Sequence, residues 1–283
     1  MICRIEELSK SRMEDITEMY FKHKISINNI MSLEGLSKNE VLAILSQARP
    51  SFRFTKEELS SFSFQEDGFM MIADTHIGHE LMNMDYLLVA YEVAKEQNIH
   101  QVFHMGDLIQ STVRGVSKSL QNEEKQIEYV VDHYPKYKDI QTHILLGNHD
   151  FKTLSKQDYY MTMLKSRSDF DILGYKRCYL SWYKKLLSLN HEINSYHLIL
   201  PNNQDTYYNF YGHRHDLQVK RNCVWIPTLS DDLKHYERKA PAPGLIIVSK
   251  NEQDSFIEHY VVFPDQNEQV IAVRQGIVLK KKL

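Results

Sequence analysis

The spacing of apolar positions changes character along the chain. Ile5, Leu8, Met13, Ile16, Met19 and Tyr20 follow one helical face, and Ile27, Ile30 and Met31 start a second that stops at Leu33-Glu34-Gly35-Leu36. Ser11 with Glu14, and Ser37 with Glu40, have capping-box spacing, the latter pair just ahead of Val41, Leu42, Ile44 and Leu45. Two short helices about a glycine turn have the outline of a helix-turn-helix, so residues 1–56 are predicted as a helical N-terminal unit. The second helix would carry only Lys38 and then Arg49, which favours a helical cap or dimerisation unit over a DNA reader. Residues 48–68, ARPSFRFTKEELSSFSFQEDG, mix Pro, Ser and irregular aromatics. A linker is placed at 57–68 and a second domain at 69–283.

From Phe69 the pattern becomes α/β. Apolar FMMIA is followed by a predicted helix over 80–97, QVFHM by a helix over 118–133, and HILL by another helical stretch. After Phe170 the signals are mostly strands: YKRCYL, YKKLLSLN, YHLIL, FYGH, CVWIP, GLIIVS and FIEHYVVF, with NEQD as a hairpin turn between the last two. Strands alternating with helices imply an α/β domain whose core strands are buried.

Composition narrows the class without changing this reading. Hydrophobic residues at 42 % and charged ones at 25 %, with 10 Gly and 7 Pro in 283 residues, describe an ordinary globular chain. A net charge of −3 gives no global basic excess for nucleic acid or an anionic membrane. Cys3, Cys178 and Cys223 are odd in number and far apart, which argues against a disulfide framework. With no apolar run of signal-peptide or membrane-spanning length, a cytoplasmic location without a membrane partner is expected.

Polar clusters stand where the apolar runs stop. FMMIA ends at Asp74-Thr75-His76, QVFHM at Gly106-Asp107, and HILL at Gly147-Asn148-His149-Asp150; later KLLSLN delivers His191 and FYG delivers His213-Arg214-His215. Strand ends of an open α/β sheet are where ligands sit. The set offers two carboxylates, an amide and several imidazoles, a mixture suited to Mn, Fe or Zn rather than to Mg or Ca alone. Seven groups exceed the about four to six ligands of one ion, so a two-metal site with a shared carboxylate is the economical count.

The ordered set DTH, GD, GNHD, a later single His and GHRH resembles the calcineurin-like metallophosphoesterase superfamily, over about residues 69 to 263. That resemblance implies an α/β fold of two facing mixed β-sheets flanked by helices, with a dinuclear centre at the strand ends. It implies that Asp74, His76 and His215 hold one divalent ion, that Asn148, His191 and His213 hold the other, and that Asp107 bridges them, Mn being favoured over Fe or Zn. A metal-bridging hydroxide would attack phosphorus, and His149 would stabilise developing charge or protonate the leaving oxygen. Asp150 would either orient His149 or cap the following helix. Arg214 is the cation tied to the site by spacing, as a substrate-binding group. His79 is expected at an exposed helix start, His104 and His143 buried and hydrogen-bonded, and His197 outside the ligand set because it begins its apolar run.

Departures from the protein Ser/Thr phosphatases of the superfamily narrow the activity. The second motif reads GDLIQS where those enzymes continue into Asp-Arg-Gly, and the third reads GNHD where they use Glu. A guanidinium fork clamps a phosphomonoester dianion, and a diester monoanion needs less neutralisation. A phosphodiesterase or nuclease is therefore expected, acting on nucleic acid or a small diester. A phosphomonoesterase of small molecules or nucleotides is the alternative, and a non-enzymatic interaction protein on the same scaffold is the third reading.

Overall fold

The computed structural model describes residues 9–21, 25, 27–37, 40, 41 and 44, and residues 63–282 except 114, 156–157, 192–205 and 232–241. Ile5, Leu8, Lys38, Leu42, Leu45, Arg49, Cys3, the linker as far as 62, and the YHLIL run with His197 lie outside these. The chain divides into two compact units, Met1–Ser61 and Phe62–Leu283.

In the first unit, α1 (Lys10–Phe21) and α2 (Ile27–Glu34) are followed by helical residues at 40, 41 and 44. Ile16, Ile30, Leu36, Val41 and Ile44 form its core. The expected capping box at Ser37 is present: Glu40 Oε2 accepts from Ser37 N at 2.8 Å and Ser37 Oγ accepts from Glu40 N at 3.3 Å. The first expected box is displaced, because Ser9 Oγ, not Ser11, accepts from the α1 backbone, at Arg12 N.

The second unit contains β1 (Ser63–Phe64), β2 (Gly68–Ile72), α3 (Met84–Glu96), β3 (Gln101–His104), α4 (Glu123–His133), β4 (Gln141–Leu146), α5 (Asn148–Leu154), α6 (Asp158–Lys165) and β5 (Phe170–Tyr175). There follow β6 (Arg177–Trp182), β7 (Lys185–Asn190), β8 (Tyr208–Tyr211), β9 (Gln218–Lys220), β10 (Cys223–Trp225), β11 (Gly244–Lys250), β12 (Asp254–Pro264) and β13 (Val270–Lys282). One sheet runs β13-β12-β11-β2-β3-β4-β5, and the other β1-β6-β7-β8-β10-β9. Both are mixed. In the larger, β2 to β5 are parallel and β11 to β13 antiparallel; in the smaller, β7, β8 and β10 are parallel.

The β2 sequence explains how the layers form. Phe69 and Met71 point to one face and meet Leu180, Trp182, Leu187 and Phe210 of the smaller sheet. Met70 and Ile72 point to the other and pack with Leu87, Tyr91, Ile127 and Val130 of α3 and α4. A strand buried on both faces reads as an unbroken apolar run. Two facing mixed β-sheets flanked by helices are thus the observed fold.

Several boundaries differ from expectation. The first helix starts at Met84 because Asn83 Oδ1 accepts from Asp85 N and Tyr86 N. The stretch 118–133 splits into a 3₁₀ turn, Lys118–Leu120, and α4, capped by Asn122. Strand β13 escapes sequence reading because it lies at a sheet edge, where half-exposed positions give no clean alternation. The NEQD turn is as expected, with Asn251 Oδ1 accepting from Gln253 N and Asp254 N. Cys178 and Cys223 are free, and no helix among the described residues is long and apolar enough to cross a membrane.

Arg167 ties α6 to α4. Buried, it pairs with Asp169 and donates to the Tyr134 and Pro135 carbonyls at 2.7 and 3.0 Å. Arg167→Met leaves Asp169 only the more distant, exposed Lys136 ammonium at 3.8 Å and should cost about 3 kcal/mol. The check is a lower urea midpoint at unchanged m-value; an unmoved midpoint would show that the network contributes nothing.

Candidate metal centre

The polar motifs meet at the carboxyl ends of five strands. Asp74 and His76 follow β2, Asp107 follows β3, and Asn148 opens α5 after β4, all from the larger sheet; His191 follows β7, and His213 and His215 follow β8 in the smaller. The backbone is turned sharply at these positions. Asp74, His76, Asp107, His213 and His215 have φ of +54°, +45°, +53°, +70° and +62°. Non-glycine residues enter this left-handed region at a cost of about 1 kcal/mol or more each, and such outliers cluster at functional sites.

Two glycines let the strand ends close. At Gly106, whose φ is +97°, a Cβ would lie 2.3 Å from His191 Nδ1; at Gly147 it would lie 2.3 Å from Asp107 Oδ1. Side chains there would push the two sheets' contributions apart, which is the physical reason for Gly in the GD and GNHD motifs.

The donor atoms fall into groups. Asp74 Oδ1 lies 3.9 Å from His76 Nε2 and 3.4 Å from His215 Nε2, and the two imidazole nitrogens are 3.2 Å apart. Asp107 Oδ2 lies 3.1 Å from His191 Nε2 and 4.0 Å from His213 Nδ1, while His191 Nε2 is 3.2 Å from Asn148 Oδ1. His76 Nε2 and His149 Nε2 also stand 4.0 Å from Asp107 Oδ2. Asp74, His76, Asp107 and His191 are buried, and His213 is the most open of the set with 45 % of its side chain exposed. The floor is buried and the mouth lies on the His213 side.

These atoms fit divalent ions. His76 Nε2 faces Asp74, Asp107 and His215, and burial holds this ring neutral, its pKa lowered to about 4, so a lone pair can be presented there. Burial opposes ionisation of Asp74 and Asp107, but the facing His215 and His191 rings outweigh it and hold both carboxyls below the usual range. Burial would lower His191 too; the Asp107 carboxylate prevails and lifts it to about 10. Carboxylate, imidazole and amide donors together suit Mn, Fe or Zn.

Backbone carbonyls aim the rings. His191 Nδ1 donates to Met105 O at 2.6 Å and His149 Nδ1 to Gln110 O at 2.9 Å, which in each case turns Nε2 toward Asp107. Sequence reasoning gave neither carbonyl a role, since a carbonyl has no side-chain signature. Asp150 does not orient His149 but caps the following helix, the other expectation: its oxygens accept from the N-cap Gly147 N at 2.8 Å and from Ile109 N at 3.0 Å, so it also braces the loops that carry Asn148 and Asp107. Burial, with Asp107 nearby, raises its pKa to about 6. Arg214, expected over the site, is exposed; its guanidinium lies 5.3 Å from the Trp225 ring centroid and donates to Gln218 Oε1. His79, expected exposed, is buried, with Nδ1 accepting from Leu81 N. His104 and His143 are buried and hydrogen-bonded as expected, to Thr75 Oγ1 and to Asp171 and Gln101.

The family model for calcineurin-like phosphoesterases matches residues 69–268. The chain belongs to that family. Several distant solved structures are also similar to the chain. A novel archaeal phosphodiesterase is 11 % identical, covering 73 % of this chain and 99 % of its own, with a TM-score of 0.43. Vps29 of Chaetomium thermophilum is 10 % identical over 77 % and 98 %, at 0.47, and Yfce, a phosphoesterase from E. coli, is 15 % identical over 76 % and 98 %, at 0.43. No curated protein matches the sequence.

Proton competition at His191 follows from its environment. A ring with its pKa raised to about 10 is protonated at pH 7 in the metal-free chain, and an ion can take Nε2 only as the proton leaves. Metal uptake near pH 7 should therefore release about one proton from this ring, and apparent affinity should rise with pH up to about 10. Calorimetric titration of metal into stripped protein, in buffers of different ionisation enthalpy, checks this; proton-independent uptake would contradict it. The stabilisation of the metal-free fold by this His–Asp pair is complete below pH about 6.5, the ordinary histidine value, and is lost as pH rises toward 10.

Proposed function

We propose that the protein is a metal-dependent phosphodiesterase working with two divalent ions, Mn ahead of Fe or Zn. The observation that supports this reading most is the position of Asp107 Oδ2, which has four imidazole nitrogens at 3.1 to 4.0 Å and stands between the two donor groups. Asp74, His76 and His215 would hold one ion, Asn148, His191 and His213 the other, and Asp107 both. Bound there, the ions supply charge against the phosphate oxygens and lower the pKa of a coordinated water toward ~7.

The residues do the rest. His149, aimed by Gln110 O, presents Nε2 beside Asp107 at the part-exposed edge, where the ring, when doubly protonated, can give its Nε2 proton to a leaving oxygen and return to the neutral Nδ1–H form. Asp150 keeps the Asn148 and Asp107 loops in register. Preference for a diester is supported by GDLIQS in place of an Asp-Arg-Gly motif and by the engagement of Arg214 with Trp225. Without a guanidinium fork, a dianionic monoester loses its natural clamp.

Asp107→Asn should remove activity and weaken retention of both ions, because a neutral amide cannot offset two dications. His149→Ala should lower kcat by ~10²–10⁴ while metal content stays at the unmodified level. Metal analysis beside turnover separates the roles: a His149→Ala protein lacking an ion would make His149 a ligand, and an active, fully loaded Asp107→Asn protein would remove the bridge.

With Mn, an alkyl aryl phosphodiester should show a higher kcat/KM than the matching monoester. A tenfold preference for the monoester, ~1.4 kcal/mol in transition-state stabilisation, would instead establish a phosphomonoesterase.

A further inference from the structure

An aromatic pair stands beside the metal centre without a part in the chemistry above. Phe151 is 39 % exposed, and its ring stacks on Tyr175 with centroids 4.2 Å apart and planes inclined by 13°. Tyr175 packs against the helix-side core, and the Lys176 ammonium lies 5.0 Å from its ring centroid. Phe151 is thus the outer member of a stack whose inner member is anchored.

The position of the pair follows from backbone links. Phe151 is three residues after Asn148 on α5, one helical turn, which sets both side chains on the same face. Lys176 N donates to Leu146 O at 3.0 Å, and Lys176 O accepts from His191 N at 2.9 Å. The Tyr175–Lys176 corner therefore joins the end of β4, from which Asn148 springs, to the end of β7, from which His191 springs. The stack lies on the rim of the Asn148–His191 side.

A large apolar ring left outward at this place is of most use if a flat group covers it. Nucleobases stack on aromatic side chains with little regard to sequence, because every base has a π-face, and a nearby ammonium meets phosphate charge. Resting on the diesterase reading above, we propose that Phe151, backed by Tyr175 and flanked by Lys176, is the stacking platform for a nucleobase of the substrate, which makes the substrate class nucleoside phosphodiesters.

The test uses the full chain with Mn and compares thymidine 5′-(p-nitrophenyl phosphate) with methyl p-nitrophenyl phosphate. The nucleoside ester should have a kcat/KM about tenfold higher, as a stacked base adds about that much. The ratio should fall toward one in Phe151→Leu and persist in Phe151→Trp. An unmodified ratio near one, or an equal ratio in Phe151→Leu, would overturn the platform. Calorimetric binding of thymidine 5′-monophosphate against methyl phosphate decides the same point without turnover. If neither ester were hydrolysed, the diesterase reading would fail, while a nucleotide preference in binding that Phe151→Leu removes would still support the platform, and equal binding would overturn it.

Discussion

Burying a carboxylate costs several kcal/mol unless charge or hydrogen bonds return it, and this structure buries two, Asp74 and Asp107, within one ring of imidazoles. Much of the local architecture answers that cost. The His215 and His191 rings face the two carboxylates, His213 N donates to Asp74 Oδ2 at 3.0 Å, and His149 N donates to Asp107 Oδ1 at 2.9 Å. The left-handed turns at the strand ends exist to bring these donors round, and the small glycines exist to let them close. Packing on both faces of the larger sheet is what can hold such strained positions in place.

The division between what the amino-acid order discloses and what it conceals has a physical basis. Buried strands such as FMMIA and QVFHM announce themselves by unbroken apolarity, and a polar residue at the end of such a run has nowhere to go but the sheet's mouth. Which residues meet at the strand ends was therefore readable by position. Asp150 was ambiguous because a carboxylate one residue beyond His149 serves equally to orient a ring or to cap the helix that follows, and only its acceptance from the Gly147 and Ile109 amides decides for the cap. Spacing placed Arg214 in the turn but could not give its side-chain direction, because a turn fixes the backbone and leaves a long side chain free to choose the Trp225 face. His79 misled because the chain makes a buried loop before Asn83 starts the helix.

The two groups of donors also explain why sequence neighbours do not suffice as a guide to the centre. His213 and His215 are two residues apart yet face different carboxylates, Asp107 and Asp74. With both in the left-handed region, the intervening Arg214 is turned outward, and one short turn serves both halves of the centre. A single substitution that straightened this turn would disturb both halves together.

Each donor group draws on both sheets: Asp74 and His76 come from the larger and His215 from the smaller, while Asn148 comes from the larger and His191 with His213 from the smaller. A third candidate group, His76 with Asp107 and His149, lies wholly in the larger layer, but each of the two groups above is incomplete in either layer alone. Any ion held by such a group acts as a rivet through the sandwich, so that during folding the site ripens only when the two layers have docked in register. Occupancy of either two-layer group then reports on the finished tertiary structure rather than on either half.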